Sequence, residues 1–332
     1  MFQRILVPLD GTKYAEQAIP VAARIARASG GSLVFMRVVL PPVELGKYAA
    51  RHAAVWERNV YEAERAKAVS YLAGTMLYHA SDLDGIDSDM GVASGIIPPT
   101  ICSTARSEHA DLIVMYSYGE TGLKRWLFGS VAQEVARKTP VPILILRGRG
   151  GVFPTSRTDH PVQVMVVLDG SSLAETALLP SAQLAAALAA PAQGRLHLQR
   201  VLALPVTEGK GMSKIHIDAM HEAETYLRTV AESLRRSHPA LCKLAITWSV
   251  VVNHDVVGAI IQRAENIEGM EQIGNCHLIS MATHGRRGIT RLVRGSVPEG
   301  VLGATRLPLL LVRPQETASQ TKKERIPGAG SN

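Results

Sequence analysis

The chain repeats itself, and that repeat constrains its fold more than any other feature. Ile5-Leu6-Val7-Pro8-Leu9-Asp10-Gly11, followed by Ala15-Glu16-Gln17-Ala18-Ile19, returns as Met165-Val166-Val167-Leu168-Asp169-Gly170, followed by Ala174-Glu175-Thr176-Ala177-Leu178. Each is a short apolar strand that ends in Asp-Gly and runs into an alanine-rich helix. Further on, the strand from Asp111 to Gly119 leads through a loop to Gly129-Ser130-Val131, a helix and the apolar run Val141 to Leu146. The second half repeats these events with His277 to Gly285, Gly295-Ser296-Val297 and Leu307 to Val312. Two copies that share order, spacing and chemistry must fold alike. A length of 332 residues leaves each copy the size of an ordinary domain.

Within a copy, apolar strands alternate with helical stretches. Leu33 to Val39 reads as a second strand, Val55 to Leu72 as a helix and Ile86 to Val92 as a third strand. Near-continuous apolar strands separated by helices imply an α/β fold with a parallel sheet covered on both faces, doubly wound, once per copy. Domain one is placed at 1–149, a Gly-, Pro- and Ser-rich linker at 150–160, domain two at 161–314, and a polar, disordered tail at 315–332. Ligands of such sheets bind beyond the carboxyl ends of the strands. Asp10, Val38 and the Gly119 loop are expected at that edge, as are Asp169, Val201 and the Gly285 loop. The last strands, Val141–Leu146 and Leu307–Val312, are apolar enough to need a partner at the sheet edge, which predicts that the copies pair with each other as a pseudo-dimer.

Composition removes several function classes. The surplus of Lys and Arg over Asp and Glu is 36 − 29 = 7, but these cations are scattered apart from Lys322-Lys323-Glu324-Arg325, and aromatics make up only 5%. A nucleic-acid partner is therefore not expected. The three cysteines Cys102, Cys242 and Cys276 are far apart and form no Cys-x-x-Cys pair, which argues against a disulfide framework or a structural metal. No apolar run approaches a membrane span and no signal-peptide pattern opens the chain, so no membrane partner and a cytoplasmic location are expected.

The chemistry is carried by Gly119, nine residues, then Gly129-Ser130, matched by Gly285, nine residues, then Gly295-Ser296. A glycine after a strand lets backbone approach a ligand, and a Gly-Ser pair opening a helix offers N–H groups and a hydroxyl to an anion. Lys124 and Arg125 add charge to the first loop; Arg286, Arg287, Arg291 and Arg294 add more to the second. The plainer reading makes the glycines turns and Ser130 and Ser296 helix caps. Two copies in matching context, each with an upstream strand-ending Asp, favour a nucleotide-type pocket.

On these residues the sequence resembles the universal stress protein family over nearly its whole length, as two copies. The resemblance implies a Rossmann-like fold of the adenine nucleotide α-hydrolase type and a site for ATP or AMP, with or without Mg. The family's ATP-binding branch carries a signature of Gly, two residues, Gly, nine residues, Gly-Ser or Gly-Thr. Carried over, its positions are Gly119, Gly129 and Ser130, and Gly285, Gly295 and Ser296. The first-strand Asp corresponds to Asp10 and Asp169, and the second-strand Val at the adenine to Val38 and Val201. The signature's first glycine falls on Tyr116 and Ala282. Alanine adds one methyl, whereas a tyrosine ring must point away or fill the site. The second copy is thus expected to be the better site. The next strand ends in Gly95 in copy one but in Asn253 in copy two, a residue that tolerates positive φ.

Other patterns are weaker. Gly211-Met212-Ser213-Lys214 lacks the His-Ile-Gly-His partner of class I tRNA synthetases, and His216 and His221, without a His-Glu-x-x-His frame, are expected on a solvated helix face. Neither a Gly-x-Gly-x-x-Gly after the first strand nor a P-loop is present, and no nucleophile, base and orienting group form a set, so no catalytic residue is assigned. The expected function is adenine-nucleotide binding by a stress-response regulator with little or no turnover. The alternatives are a nucleotide-free interaction module and a slow ATPase or phosphotransferase. A further homodimer is left open.

Overall fold

The computed structural model describes residues 1–40, 51–117, 129–147, 161–204, 214–241, 243–265, 276–283 and 297–314. Copy one runs β1 (Arg4–Pro8), α1 (Lys13–Glu16), α2 (Ala18–Ser29), β2 (Ser32–Val39), α3 (Arg51–Tyr78), α4 (Ala80–Leu83), β3 (Ser88–Ser94), α5 (Ile97–Ser107), β4 (Leu112–Tyr116), α6 (Ser130–Lys138) and β5 (Ile143–Leu146). Copy two runs β6 (Gln163–Val167), α7 (Ser172–Glu175), α8 (Leu178–Ala189), β7 (Arg195–Leu202), α9 (Lys214–Ser237), β8 (Ala245–Val252), α10 (Val256–Glu265), β9 (Leu278–Ala282), α11 (Val297–Ala304) and β10 (Leu309–Val312). The predicted helix at 55–72 extends to 51–78, and the third strand lies two residues later than the sequence suggested. The proposed linker and tail fall outside the described residues.

One ten-stranded sheet holds both copies, in the order β3-β2-β1-β4-β5-β10-β9-β6-β7-β8. The order is a mirror about its centre, and every pair is parallel except the central one. There β5 and β10 run antiparallel, with Leu310 opposite Leu144. The expected pairing of the last strands is the seam of the molecule, and among the described residues it leaves β3 and β8 as the sheet edges. Ile5, Leu6 and Val7 are fully buried, as a strand covered on both faces requires. One face carries α2, α3, α8 and α9; the other carries α5, α6, α10 and α11. Each face has a single core that draws side chains from both copies. Small residues make that possible: α2 and α8, rich in alanine, pack against each other across the copies.

A reciprocal pair of arginines reinforces the seam. Arg147, just after β5, donates to the carbonyls of Leu302 and Thr305 at the end of α11, the latter at 2.8 Å. Arg313, just after β10, donates to the Arg137 carbonyl at the end of α6, at 3.2 Å. Each copy supplies a cation to the carbonyl end of the other copy's final helix, where the helix dipole favours it.

His216 departs from expectation, since it is buried. It falls on the same stripe of α9 as Ala223, Leu227, Val230 and Leu234, so helical spacing carries it into the core despite its polar neighbours.

Candidate functional site

The first strand of each copy stops in the same way. Asp10 Oδ1 accepts from Thr12 N–H at 2.8 Å and from Thr12 Oγ1 at 2.7 Å. Asp169 Oδ1 accepts from Ser171 N–H at 2.8 Å and from Ser171 Oγ at 2.6 Å. The same hydroxyls accept from Ala15 N–H and Ala174 N–H, capping α1 and α7. Between carboxylate and cap stand Gly11 at φ +96° and Gly170 at φ +93°, a conformation that side chains with a Cβ rarely adopt. Both carboxylates are exposed.

In copy one this turn borders a cavity of about 310 Å³. Asp10, Val38, Gly129 and Ser130, chosen from the sequence, all line it. Met36, Ile97, Ile101 and Met115 supply an apolar floor. Gly129 is the N-cap of α6 and has no side chain to cap with, while Ser130 is the first helical residue. The plainer reading of Ser130 as a cap therefore fails, and the first-turn N–H groups of α6 have no side-chain acceptor among the described residues. Gly119 lies outside the described residues.

Ser117 was not singled out from the sequence. It is buried at the end of β4, and its hydroxyl accepts from Gly129 N–H at 3.3 Å, tying the strand end to the start of α6. Copy two has Thr283 at the matching place, and the N–H groups of both bond the last residue of the neighbouring strand, Leu146 and Val312. A hydroxyl at the same step of both repeats was the available signal.

Tyr116 lines the cavity without filling it. Its ring lies 6.2 Å from that of Tyr14, stacked at 26°, and packs with the core on the α2 side of the sheet, opposite the Met115 face. Alternation along β4 sends Met115 toward the floor and Tyr116 away from it. The cavity is thus present with Tyr116 at its wall, so the tyrosine does not by itself close copy one.

In copy two, Asp169 and Val201 occupy the places of Asp10 and Val38, and Ala282 is the buried last residue of β9. Gly285, Gly295 and Ser296 lie outside the described residues. Asn253 does not use positive φ; among the described residues only His109 does so without being glycine. Its Oδ1 instead accepts from Asp255 N–H at 2.9 Å, while Gly95 stands at φ +147°. A side-chain acceptor shapes one turn and backbone freedom the other.

The second strands of the copies differ on one buried face. Where β2 places Val34 and Met36, β7 places His197 and Gln199, both buried. His197 Nδ1 lies 2.9 Å from Thr247 Oγ1 and its Nε2 lies 2.9 Å from Ser249 Oγ. Ser249 Oγ in turn donates to Gln199 Oε1 at 2.8 Å. Burial lowers the His197 pKa to about 4, so the ring is neutral near pH 7. Burial also raises the thiols of Cys102 and Cys276, the latter to about 11, which leaves neither poised as a nucleophile. No group of three or more His, Cys, Asp or Glu side chains fit for a metal occurs among the described residues.

A sequence profile described as the universal stress protein family matches residues 1–147 and again 163–313. The chain belongs to the universal stress protein family. Similar relatives include the Mycobacterium tuberculosis universal stress protein Rv2005c, 26% identical over 239 residues, spanning 70% of this chain and 73% of the relative. A universal stress protein of Thermus aquaticus is 31% identical over 149 residues, 44% of this chain and all of that one. Among solved structures, an Archaeoglobus fulgidus universal stress protein shares the fold at TM-score 0.64 and 16% identity, over 93% of this chain and 98% of its own. In this universal stress protein each copy thus ends its first strand in an Asp-Gly turn, and the cavity of copy one opens beside that turn. Among the described residues no helix is long and apolar enough to cross a membrane.

Proposed function

We propose that this universal stress protein binds an adenine nucleotide, ATP or AMP, at the carboxyl edge of each copy and responds to it with little or no turnover, in the cytoplasm. One observation carries the reading: Asp10, Val38 and the uncapped Gly129-Ser130 start of α6 meet at a single cavity of about 310 Å³. Its apolar floor suits a base, the carboxylate at its rim suits ribose hydroxyls, and the amide-rich start of a helix suits phosphate. By the repeat, Asp169, Val201, Ala282, Gly285, Gly295 and Ser296 form the second site, and Gly119 completes the first. Mg arriving with ATP would take its ligands from phosphate and water, as it commonly does. Low turnover follows from a sequence that offers no nucleophile with a base and an orienting group. With the Tyr116 ring stacked on Tyr14 at the cavity wall, charge ranks the sites: four arginines follow Gly285, whereas Lys124, Arg125 and an acidic Glu120 follow Gly119.

Equilibrium titration of the full chain with labelled ATP and AMP is expected to give two unequal sites, with the tighter removed by Gly295→Leu and the weaker by Gly129→Leu. ATP should also raise the unfolding temperature, since a ligand that prefers the folded state stabilises it. Binding of neither nucleotide would overturn the reading. Phosphate release at enzyme-like rates, on the order of 1 per second or faster, would overturn its low-turnover half.

A further inference from the structure

Each Asp-Gly turn is backed by a set of side chains drawn from three distant parts of the sequence. In copy one the Arg37 guanidinium carbon stands 4.8 Å from the centroid of the Tyr71 ring. Its Nη2 is so close to the turn that a Cβ built on Gly11 would lie 3.0 Å away. Tyr71 is itself fixed, because its hydroxyl donates to Glu16 Oε1 at 3.2 Å and Glu16 is buried on α1, the helix that the turn begins. Copy two repeats the set. Arg200 stands 5.0 Å from the Tyr226 centroid, a Cβ on Gly170 would lie 2.9 Å from Arg200 Nη2, and the Tyr226 hydroxyl donates to Glu175 Oε1 at 3.0 Å. Burial raises the Tyr71 phenol to about 12 and moves Tyr226 upward as well, so both hydroxyls carry their proton.

The contacts close a ring: turn, short helix, glutamate, tyrosine, arginine, and back to the glycine of the turn. Arg37 and Arg200 alternate with Met36, Val38, Gln199 and Val201 along their strands, so their side chains leave on the α3 and α9 side, opposite the Met36 face, and Arg37 also borders the cavity beside Asp10. A stacked guanidinium is flat and holds its plane, which a lysine ammonium cannot reproduce.

We propose that Arg37 and Arg200, stacked on Tyr71 and Tyr226, are the positioning residues of the two sites, holding the turns that aim the carboxylates of Asp10 and Asp169. The role builds on the proposed nucleotide site, but the order of the turn is a property of the protein alone and can be read without ligand. Backbone hydrogen exchange in the full chain supplies that reading, through Thr12 N–H and Ser171 N–H, the amides held by Asp10 and Asp169. Arg37→Lys and Tyr71→Leu are each expected to speed exchange at Thr12 about tenfold or more while leaving Ser171 and the Leu6 amide of β1 unchanged; this corresponds to at least ~1.4 kcal/mol. Arg200→Lys and Tyr226→Leu should do the reverse. Tyr71→Phe, which keeps the stack but loses the hydroxyl's bond to Glu16, should fall between wild type and Tyr71→Leu. Unchanged exchange at Thr12 in Arg37→Lys would overturn the proposal whether or not nucleotide binds. In the ATP titration the same variants should lose about tenfold in affinity at their own site, by the same ratio at low and high NaCl. A loss that lysine restores, or that fades with salt, would mean that the arginine touches the phosphate directly, and would also overturn a positioning role.

Discussion

The two copies agree at the ends of their first strands and disagree one layer below. Asp10, Gly11 and Thr12 are matched bond for bond by Asp169, Gly170 and Ser171, down to a glycine at φ near +95° and an arginine over it. Along the second strand of each copy, Val34 and Met36 of copy one give way to His197 and Gln199 of copy two. A buried polar pair is tolerable only when its hydrogen bonds are made, and here Thr247 and Ser249 of β8 make them. Those four residues therefore act as a unit, for which the apolar pair of copy one needs no counterpart. The edge of the sheet repeats its chemistry closely, while the interior has two solutions to one packing problem. The lesson for function is that the copies present similar rims to a ligand but respond differently to conditions that reach the core.

The strongest way to break this comparison is at the seam, where the copies cease to be separate. Leu310→Ala empties a fully buried position opposite Leu144. A loss of about 2–5 kcal/mol is expected, as for other buried Leu→Ala changes. Because each face has one core shared by both copies, urea unfolding should stay a single transition that moves as a whole. Two resolved transitions would show that the copies fold independently.

Acid sharpens the contrast, since only copy two carries the histidine. The folded pKa of His197 is depressed to about 4 from an ordinary 6.5, so the unfolded chain binds more protons between those values. Stability from the neutral ring is thus complete above about pH 6.5 and is lost as pH falls toward 4, by an amount on the order of a few kcal/mol. His197→Gln, which keeps hydrogen-bonding atoms but cannot titrate, should flatten the dependence of unfolding free energy on pH in that window. An unchanged slope would place the acid sensitivity elsewhere.

The smallest effects should come from the reciprocal arginines. Arg147 is largely buried and reaches two carbonyls, and burial lowers its pKa to about 10. Arg147→Ala should destabilise by about 1.5–3 kcal/mol, the range for hydrogen bonds to a charged group. Arg313 is more exposed and reaches one carbonyl, so Arg313→Ala should lose less than about 1 kcal/mol. Equal losses in denaturant titrations would mean that the seam is more symmetric than its burial suggests.

Much of this was legible in the chain. The repeat, the parallel strands, the strand-ending aspartates and the meeting of Asp10, Val38, Gly129 and Ser130 at one edge follow from local pattern and from the rule that such sheets bind at their carboxyl ends. What escaped was orientation and distant pairing. Leu112 to Tyr116 is apolar on both faces, so nothing in the run says which side Tyr116 takes. The stack of Arg37 on Tyr71 joins β2 to a helix across a segment with no periodicity linking them. Asn253 was read for backbone tolerance when its side chain was the relevant part. His216 was set aside for lack of a metal-binding frame rather than placed on the helical stripe to which it belongs.

The antiparallel junction of β5 and β10 also changes how the molecule meets dilution. Two separate chains paired along such strands would part as their concentration fell, and their stability would rise and fall with it. Here the partner strand is tethered to the same backbone, so its local concentration is fixed by the connecting segment rather than by the solution. The two unlike copies remain in one-to-one ratio at any abundance, and neither can exchange its neighbour for a second copy of itself without first breaking the seam.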